Sequence, residues 1–283
     1  MNYRHIYHAG HICDVVKHAI QSLVIAHLCV KEKGFAILDT HAGIGLYDLQ
    51  DPRAVKTGEA EAGIKRLIEG DLASEIPDYH AVLKKMNPLW RGEGAESFRT
   101  YPGSPLISFH MLRPQDRLIL CEAHPEEFET LRHAMPADPR VQIHKRDGYE
   151  ALTAFLPPPE KRGFVLIDPP FESPDEFTRL AVRIRESVRR WPSGVFLIWY
   201  PVKDRPAIWR FQESLRMLEL PNAFCAEFIW QEETRADFLN GSGMIVINPP
   251  WRMDEKLRVL FAFLHTALRV PQISDRVGAL NAP

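Results

Sequence analysis

Short apolar runs alternate with amphipathic segments along most of the chain. Apolar runs rich in β-branched and aromatic residues predict buried strands at 35–39, 117–122, 141–145, 164–167 and 195–200. Between them, apolar positions recur every three or four residues and predict helices at 104–111, 126–135 and 175–190. Strands that alternate with helices in this way form a parallel, doubly wound α/β sheet.

The two ends of the chain extend this pattern. Val15, Ala19 and Leu23 recur at helical spacing and predict a helix over 14–31. Near the other end, the pattern predicts a helix at 207–218, strands at 223–230 and 243–247, and a helix at 254–268. The two consecutive late strands suggest an antiparallel edge hairpin, which brings the sheet to seven strands. We expect the last dozen residues to form a tail.

Residues 50–100 contain no strand pattern. Segments 58–72 and 79–86 are helical in pattern, so we predict a helical insertion subdomain at 47–102. The rest of the α/β domain would then comprise residues 1–46, with the N-terminal segment, first helix and first strand, and residues 103–283.

Composition describes an ordinary soluble protein. The chain has 283 residues, 45% hydrophobic and 25% charged, which suits a globular core. A formal net charge of −2 means that nucleic-acid binding would depend on local patches. Such a patch could involve Lys84, Lys85, Arg91 and Arg99, although a solvated charged face is the commoner explanation for such residues.

Cysteine spacing and hydropathy bear on the compartment. The four cysteines show no C-x-x-C spacing, which argues against a zinc ribbon or a disulfide framework. His5 and His8 could form a metal pair, but no acidic or cysteine ligand has suitable spacing, so we expect no metal. No run approaches 18 apolar residues and no signal pattern begins the chain, so we expect a cytoplasmic protein without membrane contact.

The strand at 164–167 ends in the most informative stretch, Asp168-Pro169-Pro170-Phe171. Carboxyl ends of parallel strands are where open α/β sheets bind ligands. Two prolines remove backbone donors and leave carbonyl acceptors, while Phe171 provides a flat face. Acceptors beside a stacking ring suit a planar base with an exocyclic amine, and this is the chemistry of amino-methyltransferases. A strand end followed by a simple Pro-Pro turn remains an alternative.

The same four-residue pattern occurs twice. Asn248-Pro249-Pro250-Trp251 also follows an apolar strand, so the pattern alone cannot select the site.

The turn after the first strand suggests a cofactor. Gly43 and Gly45 allow a tight turn close to a ligand, but Asp48 stands where a dinucleotide fingerprint needs a third glycine. Glu122, at the end of the next strand of the sheet, is placed to bind ribose hydroxyls. Asp147 and Gly148 follow the third strand, where either an adenine contact or a plain surface turn is possible. We expect Ser104 to cap the helix that follows it.

Several segments together resemble the bacterial 23S rRNA adenine-N6 methyltransferase J family over essentially the full length. They are residues 3–18, Leu-Asp-Thr-His-Ala-Gly-x-Gly at 38–45, Tyr-Pro-Gly-Ser-Pro-Leu-Ile at 101–107, Asp147-Gly148, Leu-Ile-Asp-Pro-Pro-Phe-Glu at 166–172, Trp-Tyr-Pro-Val at 199–202 and residues 242–251. The resemblance implies a Rossmann-like class I fold and S-adenosylmethionine as the cofactor. It also implies methylation of one unstacked adenosine of 23S ribosomal RNA by an enzyme that we expect to be a monomer.

The resemblance also implies residue roles. Cofactor contacts are implied for His18, His41, Ser104, Glu122, Asp147, Gly148 and Asp168. Asp168 is implied as the catalytic acceptor and Tyr3 as a substrate contact, while Pro169 and Phe171 would hold the base. The family often has Tyr at the position of Phe171 and usually Asn at the position of His11.

Two other functions fit parts of the pattern. A DNA adenine-N6 methyltransferase would use the same amine chemistry, although no sequence-reading DNA module is evident. A catalytically inactive RNA-binding protein could keep the fold, but the intact acids Asp39, Glu122, Asp147 and Asp168 argue against it. Protein-glutamine methylation would favour Asn where Asp168 stands.

Overall fold

A computed structural model describes residues 4–92, 94–218, 220, 222–232 and 238–280. Its strands are β1 (Ala36–Asp39), β2 (Leu46–Asp48), β3 (Thr100–Pro102), β4 (Arg117–Glu122), β5 (Val141–Lys145), β6 (Gly163–Ile167), β7 (Val195–Val202), β8 (Ala223–Ile229), β9 (Gly241–Ile247) and β10 (Arg276–Ala279). Tyr3, the predicted substrate contact, lies outside the described residues.

The α-helices of the described residues follow in chain order. They are α1 (Ile12–Cys29), α2 (Pro52–Thr57), α3 (Glu59–Ala62), α4 (Ile64–Leu67), α5 (Leu72–Glu75), α6 (Pro77–Met86), α7 (Ser104–Met111), α8 (Pro125–Ala134), α9 (Gly148–Phe155), α10 (Glu176–Arg190), α11 (Arg205–Arg216) and α12 (Met253–Leu268).

The main sheet has the order β10-β8-β9-β7-β6-β1-β4-β5, and β2 pairs with β3 separately. Strands β5, β4, β1, β6 and β7 run parallel, while β9 is antiparallel to both β7 and β8. The chain adds β4 and β5 on one side of β1 and then crosses to add β6 and β7 on the other. The carboxyl ends of β1, β4 and β6 therefore meet at the switch point where such sheets bind ligands.

The expected count of seven strands is wrong by one. Residues 276–279, assigned to a tail, form β10 and pair with β8 at the edge of the sheet. Only Val277 of this strand is a buried apolar residue, so the segment carries too little alternation to be recognised from sequence.

The second copy of the Pro-Pro pattern and Asp168 lie at opposite ends of the strands. Asp168 follows the carboxyl end of a parallel strand, whereas β9 runs antiparallel to β7, so Asn248 lies where the parallel strands begin. The Asn248 side-chain amide donates to the carbonyl oxygens of Pro192 and Gly194, both at 2.8 Å. Asn248-Pro249-Pro250-Trp251 is therefore a structural turn.

The segment expected as one helix over 58–72 is divided at Gly63. A Cβ atom at this position would lie 2.0 Å from the carbonyl oxygen of Gly10. The amide of Ile64 donates to that same carbonyl at 2.8 Å. Close approach of the N-terminal segment therefore interrupts the helix. Because α1 packs against α3, α4 and α6, these helices share its core, and the 47–102 subdomain boundary stays a prediction.

Helix α1 is the central helix of one face of the sheet. Among the described residues it alone is long and apolar enough to cross a membrane, but 78% of it is buried inside the protein. Such extensive burial is also what a core helix of a globular protein shows.

Candidate active site

A cavity of about 440 Å³ lies at the carboxyl ends of β1, β4 and β6. It brings together most of the residues predicted from sequence, namely His18, His41, Ser104, Glu122, Asp168, Pro169 and Phe171. Asp147 and Gly148 are not among its lining residues. Ligand pockets of this size accommodate a cofactor-sized molecule.

Asp168 is held by a buried lysine that the sequence analysis did not assign. Lys17 Nζ lies 2.5 Å from Asp168 Oδ2 and 3.0 Å from Asp14 Oδ1. Asp14 also accepts from the Gly10 amide at 3.0 Å and contacts His5 Nε2 at 2.9 Å. One cation thus lies between two carboxylates, and only Asp168 keeps a partly exposed side chain, at 18%.

The charge state of this cluster follows from its contacts. Burial alone would lower the pKa of Lys17, but the carboxylates of Asp168 and Asp14 raise it above its usual value. Burial opposes ionisation of Asp14, yet His5 and Lys17 hold its pKa well below the usual range. Lys17 is therefore a cation at neutral pH.

The turn after β6 presents an acceptor and a ring to the cavity. Within the described residues, the carbonyl oxygen of Pro169 accepts no hydrogen bond. Phe171 has a φ of 49°, a left-handed conformation that is uncommon for a bulky residue. Its ring packs against Phe177 and Trp199, with centroid distances of 4.9 and 5.7 Å. Such local strain persists where the surroundings impose it, often at functional sites.

Glu122 organises the turn after β1. Its Oε2 accepts from the Gly43 amide at 2.9 Å, and its Oε1 accepts from the His124 amide at 2.7 Å. Burial raises the pKa of Glu122, although these backbone donors oppose the shift. The carboxylate lines the cavity and keeps lone pairs for further donors such as hydroxyl groups.

Ser104 does not cap its helix, contrary to expectation. Gly103 is the N-terminal cap of α7, and Ser104 Oγ instead donates to Asp39 Oδ2 at 2.6 Å. Burial raises the pKa of Asp39 to about 7, an effect that the Ser104 hydrogen bond partly offsets. A capping function requires a residue just outside the helix, whereas Ser104 is its first residue.

His41 and Gly148 are neighbours next to the cavity. Thr40 Oγ1 donates to the Leu166 carbonyl and lies 2.8 Å from His41 Nδ1. A Cβ atom on Gly148 would come within 2.6 Å of the His41 ring, so only glycine fits there. Burial lowers the pKa of His41 to about 4, so its ring is neutral. Asp147 caps α9 by accepting from the backbone amides of Tyr149 and Glu150.

The N-terminal histidines are polar contacts. His8 Nδ1 lies 3.0 Å from Glu59, and His5 contacts Asp14. His11 Nδ1 accepts from the Cys13 amide at 3.3 Å and so caps α1. Asn is also a preferred capping residue, so the Asn that the resembled family usually has at this position is compatible with the same cap. Within the described residues, no cluster of three or more His, Cys, Asp or Glu is placed to hold a metal.

The sequence contained a signal for the missed lysine. Asp14, Lys17, His18 and Gln21 are spaced i, i+3, i+4 and i+7 along α1, and all four are buried. A polar stripe at helical period on an otherwise apolar helix predicts a functional face, just as an apolar stripe predicts a core face.

The chain is similar over most of its length to ribosomal RNA methyltransferases. The family model described as Ribosomal RNA large subunit methyltransferase D, RlmJ, matches residues 32–278. The curated protein Ribosomal RNA large subunit methyltransferase J of Escherichia coli strain K12 is 39% identical over 269 residues, which is 95% of this chain and 94% of the relative. The protein of the same description from Haemophilus influenzae is 37% identical over 96% of this chain and 95% of the relative.

A solved structure shares the whole fold. The crystal structure of a Legionella pneumophila protein is similar with a TM-score of 0.85 and 30% sequence identity. The match covers 96% of this chain and 98% of the Legionella chain. The likeness therefore extends over the sheet and the helical segment together.

Proposed function

Because the chain belongs to the RlmJ family of ribosomal RNA large subunit methyltransferases, we propose that it methylates the exocyclic N6 of one adenosine in 23S ribosomal RNA. Family membership confirms the predicted enzyme class, its Rossmann-like class I fold with eight strands in place of seven, and S-adenosylmethionine as the cofactor.

Three groups that line the cavity support the proposal that the enzyme methylates an exocyclic amine. The Asp168 carboxylate, the unpaired Pro169 carbonyl and the Phe171 ring line the same cavity. An adenine amine has two N–H donors and a lone pair that is delocalised into the ring. Two acceptors can bind the two N–H groups while the aromatic ring stacks the base. This geometry would direct the amine lone pair away from the acceptors.

Positioning of the adenine amine relative to the cofactor would account for most of the rate enhancement. The cofactor supplies an electrophilic methyl group, and no covalent enzyme intermediate is needed. Well-oriented reactants gain roughly 7–11 kcal/mol from proximity alone. The amine becomes acidic only as its new bond forms, so Asp168 need not be a strong base beforehand and would then accept or relay the proton. Lys17 would keep the Asp168 carboxylate oriented through their 2.5 Å contact.

The cofactor contacts are part of this proposal. His18, His41, Ser104 and Glu122 line the cavity together with Asp168, which supports their assignment. Asp147 and Gly148 would contribute through the wall behind His41, since Gly148 packs against that ring. The polar atoms of these residues are donors and acceptors of the kind that a ribose and an amino acid group require.

The substrate would be an unstacked adenosine. A paired base cannot reach a cavity at the end of a sheet, so the RNA must expose it, and stacking on Phe171 would offset part of the cost.

We also propose that the enzyme acts as a monomer in the cytoplasm and that Tyr3 contacts the substrate. Lys84, Lys85, Arg91 and Arg99 are exposed, and their role in RNA binding stays a prediction.

The deciding experiment uses labelled S-adenosylmethionine and 23S ribosomal RNA from cells that lack the endogenous enzyme. Digestion and nucleoside analysis should give labelled N6-methyladenosine at one site, and the Asp168→Ala variant should give none. Methyl transfer to duplex DNA but not to RNA would show that the substrate is DNA and not ribosomal RNA. Cofactor binding without transfer to either nucleic acid would instead favour a binding protein.

A further inference from the structure

His18 belongs to a buried chain of hydrogen bonds that leads away from the cavity. His18 Nδ1 lies 2.7 Å from the Tyr101 hydroxyl, and that hydroxyl lies 3.0 Å from the hydroxyl of Tyr79. The three side chains come from α1, β3 and α6, and their residues are at most 1% exposed. The chain therefore joins the cavity to the helical segment without access to water.

Hydrogen-bond satisfaction sets the direction of this chain. Within the described residues, the Tyr79 hydroxyl has no partner other than Tyr101. A buried hydroxyl hydrogen without an acceptor costs about 1–3 kcal/mol, so Tyr79 donates to Tyr101. The Tyr101 hydrogen then has one remaining acceptor, which is His18 Nδ1. The reverse direction would leave the Tyr79 hydrogen unpaired.

The protonation of His18 follows from that direction. A neutral imidazole has one donor nitrogen and one acceptor nitrogen, so an accepting Nδ1 places the proton on Nε2. Burial, followed by the Lys17 charge, lowers the pKa of His18 well below its usual value, which keeps the ring neutral. His18 lines the cavity, and within the described residues Nε2 forms no hydrogen bond. Nε2 is thus the nitrogen left for a ligand.

We propose that Tyr101 is a positioning residue that holds His18 as a neutral Nε2–H donor to an acceptor atom of the bound cofactor. This inference rests on the proposed function, because it takes S-adenosylmethionine as the ligand of the cavity. It adds a residue of β3 to the cofactor site, although Tyr101 itself is not a lining residue. Tyr79 has a different role from Tyr101, because it donates its hydrogen bond to Tyr101 and is not needed to orient His18.

This difference gives a matched pair of variants. Tyr101→Phe leaves Nδ1 without its donor and frees the ring to turn. In Tyr79→Phe, the Tyr101 hydrogen still has only His18 Nδ1 to bind, so the orientation of His18 is retained. Tyr101→Phe breaks both hydrogen bonds of the chain and Tyr79→Phe breaks only one, so urea unfolding of each variant measures the structural effect separately from cofactor binding.

The binding test titrates S-adenosylmethionine calorimetrically into each purified variant. We expect Tyr101→Phe to weaken binding about tenfold, within the range for the loss of one ordinary hydrogen bond, and Tyr79→Phe to change it less than threefold. His18→Gln, whose amide can reach the Nε2 position, should retain more affinity than His18→Asn, which mimics Nδ1. Equal losses in the two Tyr variants, or better binding by His18→Asn, would overturn the proposal.

A direct readout separates this inference from the proposed function. Nitrogen-15 NMR of the parent protein should show His18 protonated at Nε2 and unprotonated at Nδ1 between pH 6 and 8, with a mixed or altered signal in Tyr101→Phe. A proton on Nδ1 in the parent would overturn the tautomer assignment even if the cofactor binds. A parent protein that binds no S-adenosylmethionine would instead overturn the proposed function.

Discussion

Lys17 Nζ and Asp168 Oδ2 are 2.5 Å apart, although 151 residues separate them in the chain. The lysine comes from the buried face of α1 and the carboxylate from the end of β6. Asp14, one helical turn before Lys17, provides the second carboxylate at 3.0 Å. The proposed catalytic carboxylate therefore depends on a charge that the N-terminal helix supplies.

Removal of the Lys17 charge should destabilise the fold. Lys17→Gln leaves Asp14 buried without its cation, and loss of one partner of a buried pair costs about 3–5 kcal/mol. Urea denaturation should show this loss in the free energy of unfolding, and the double variant Lys17→Gln with Asp14→Asn should recover part of it. Additive losses in the double variant would contradict the coupling. Turnover should fall in both variants, because Asp168 loses its orientation.

Substitutions in the two copies of the Pro-Pro pattern should have different effects on turnover. Asp168→Asn keeps the shape but loses an acceptor, so turnover should fall at least a hundredfold while S-adenosylmethionine binding changes only a few-fold. Asn248→Gly suits the left-handed φ of 52° at the other edge of the sheet and should keep turnover within twofold. Methylation kinetics on ribosomal RNA measure both. Comparable losses in the two variants would show that the site had been placed at the wrong edge.

The Phe171 ring should contribute through stacking. Phe171→Gly accepts the left-handed φ of 49° without strain but removes the ring. Base–aromatic stacking is worth about 1–3 kcal/mol, so kcat/KM for RNA should fall roughly 5- to 150-fold. Phe171→Tyr keeps the aromatic face and should remain within a few-fold of the parent. A parental rate for Phe171→Gly would exclude stacking on this ring.

Asp39 should make stability depend on pH. Burial raises the pKa of Asp39 to about 7 in the folded state, against the ordinary value of 3.8 for an aspartate side chain. Between these values the folded state binds the proton and the unfolded state does not, so the Asp39 contribution to stability falls as pH rises from about 4 to 7. Above pH 7 the loss is complete and constant.

Asp39→Asn removes this titration and serves as the test. Its free energy of unfolding, taken relative to that of the parent, should increase by a few kcal/mol between pH 5 and pH 8, so the variant becomes relatively more stable. Other titrating groups are common to both proteins and cancel in the difference. Thermal or urea unfolding at several pH values measures it. A difference independent of pH would mean that Asp39 is ionised throughout this range.

Much of the fold could be predicted from sequence because it depends on local patterns. The run 164–167 is apolar, short and followed by Asp168 and two prolines, so both the buried strand and the position of its acid were evident. The alternation of strands and helices then predicted a parallel sheet, and that sheet brings Glu122 and Asp168 to one edge. Strand β10 escaped prediction because its pairing with β8, not its pattern, makes it a strand.

The sequence by itself determined the class of sheet, the family and the residue types of the site, because periodicity and short motifs are properties of neighbouring positions. Tertiary structure alone decided which of two identical patterns faces the cavity, since the antiparallel direction of β9 sends Asn248 to the other edge. It also decided the partners of Lys17, Ser104 and His18. Those contacts join residues 65 to 151 positions apart, and burial then sets the pKa values and donor directions that local sequence does not encode.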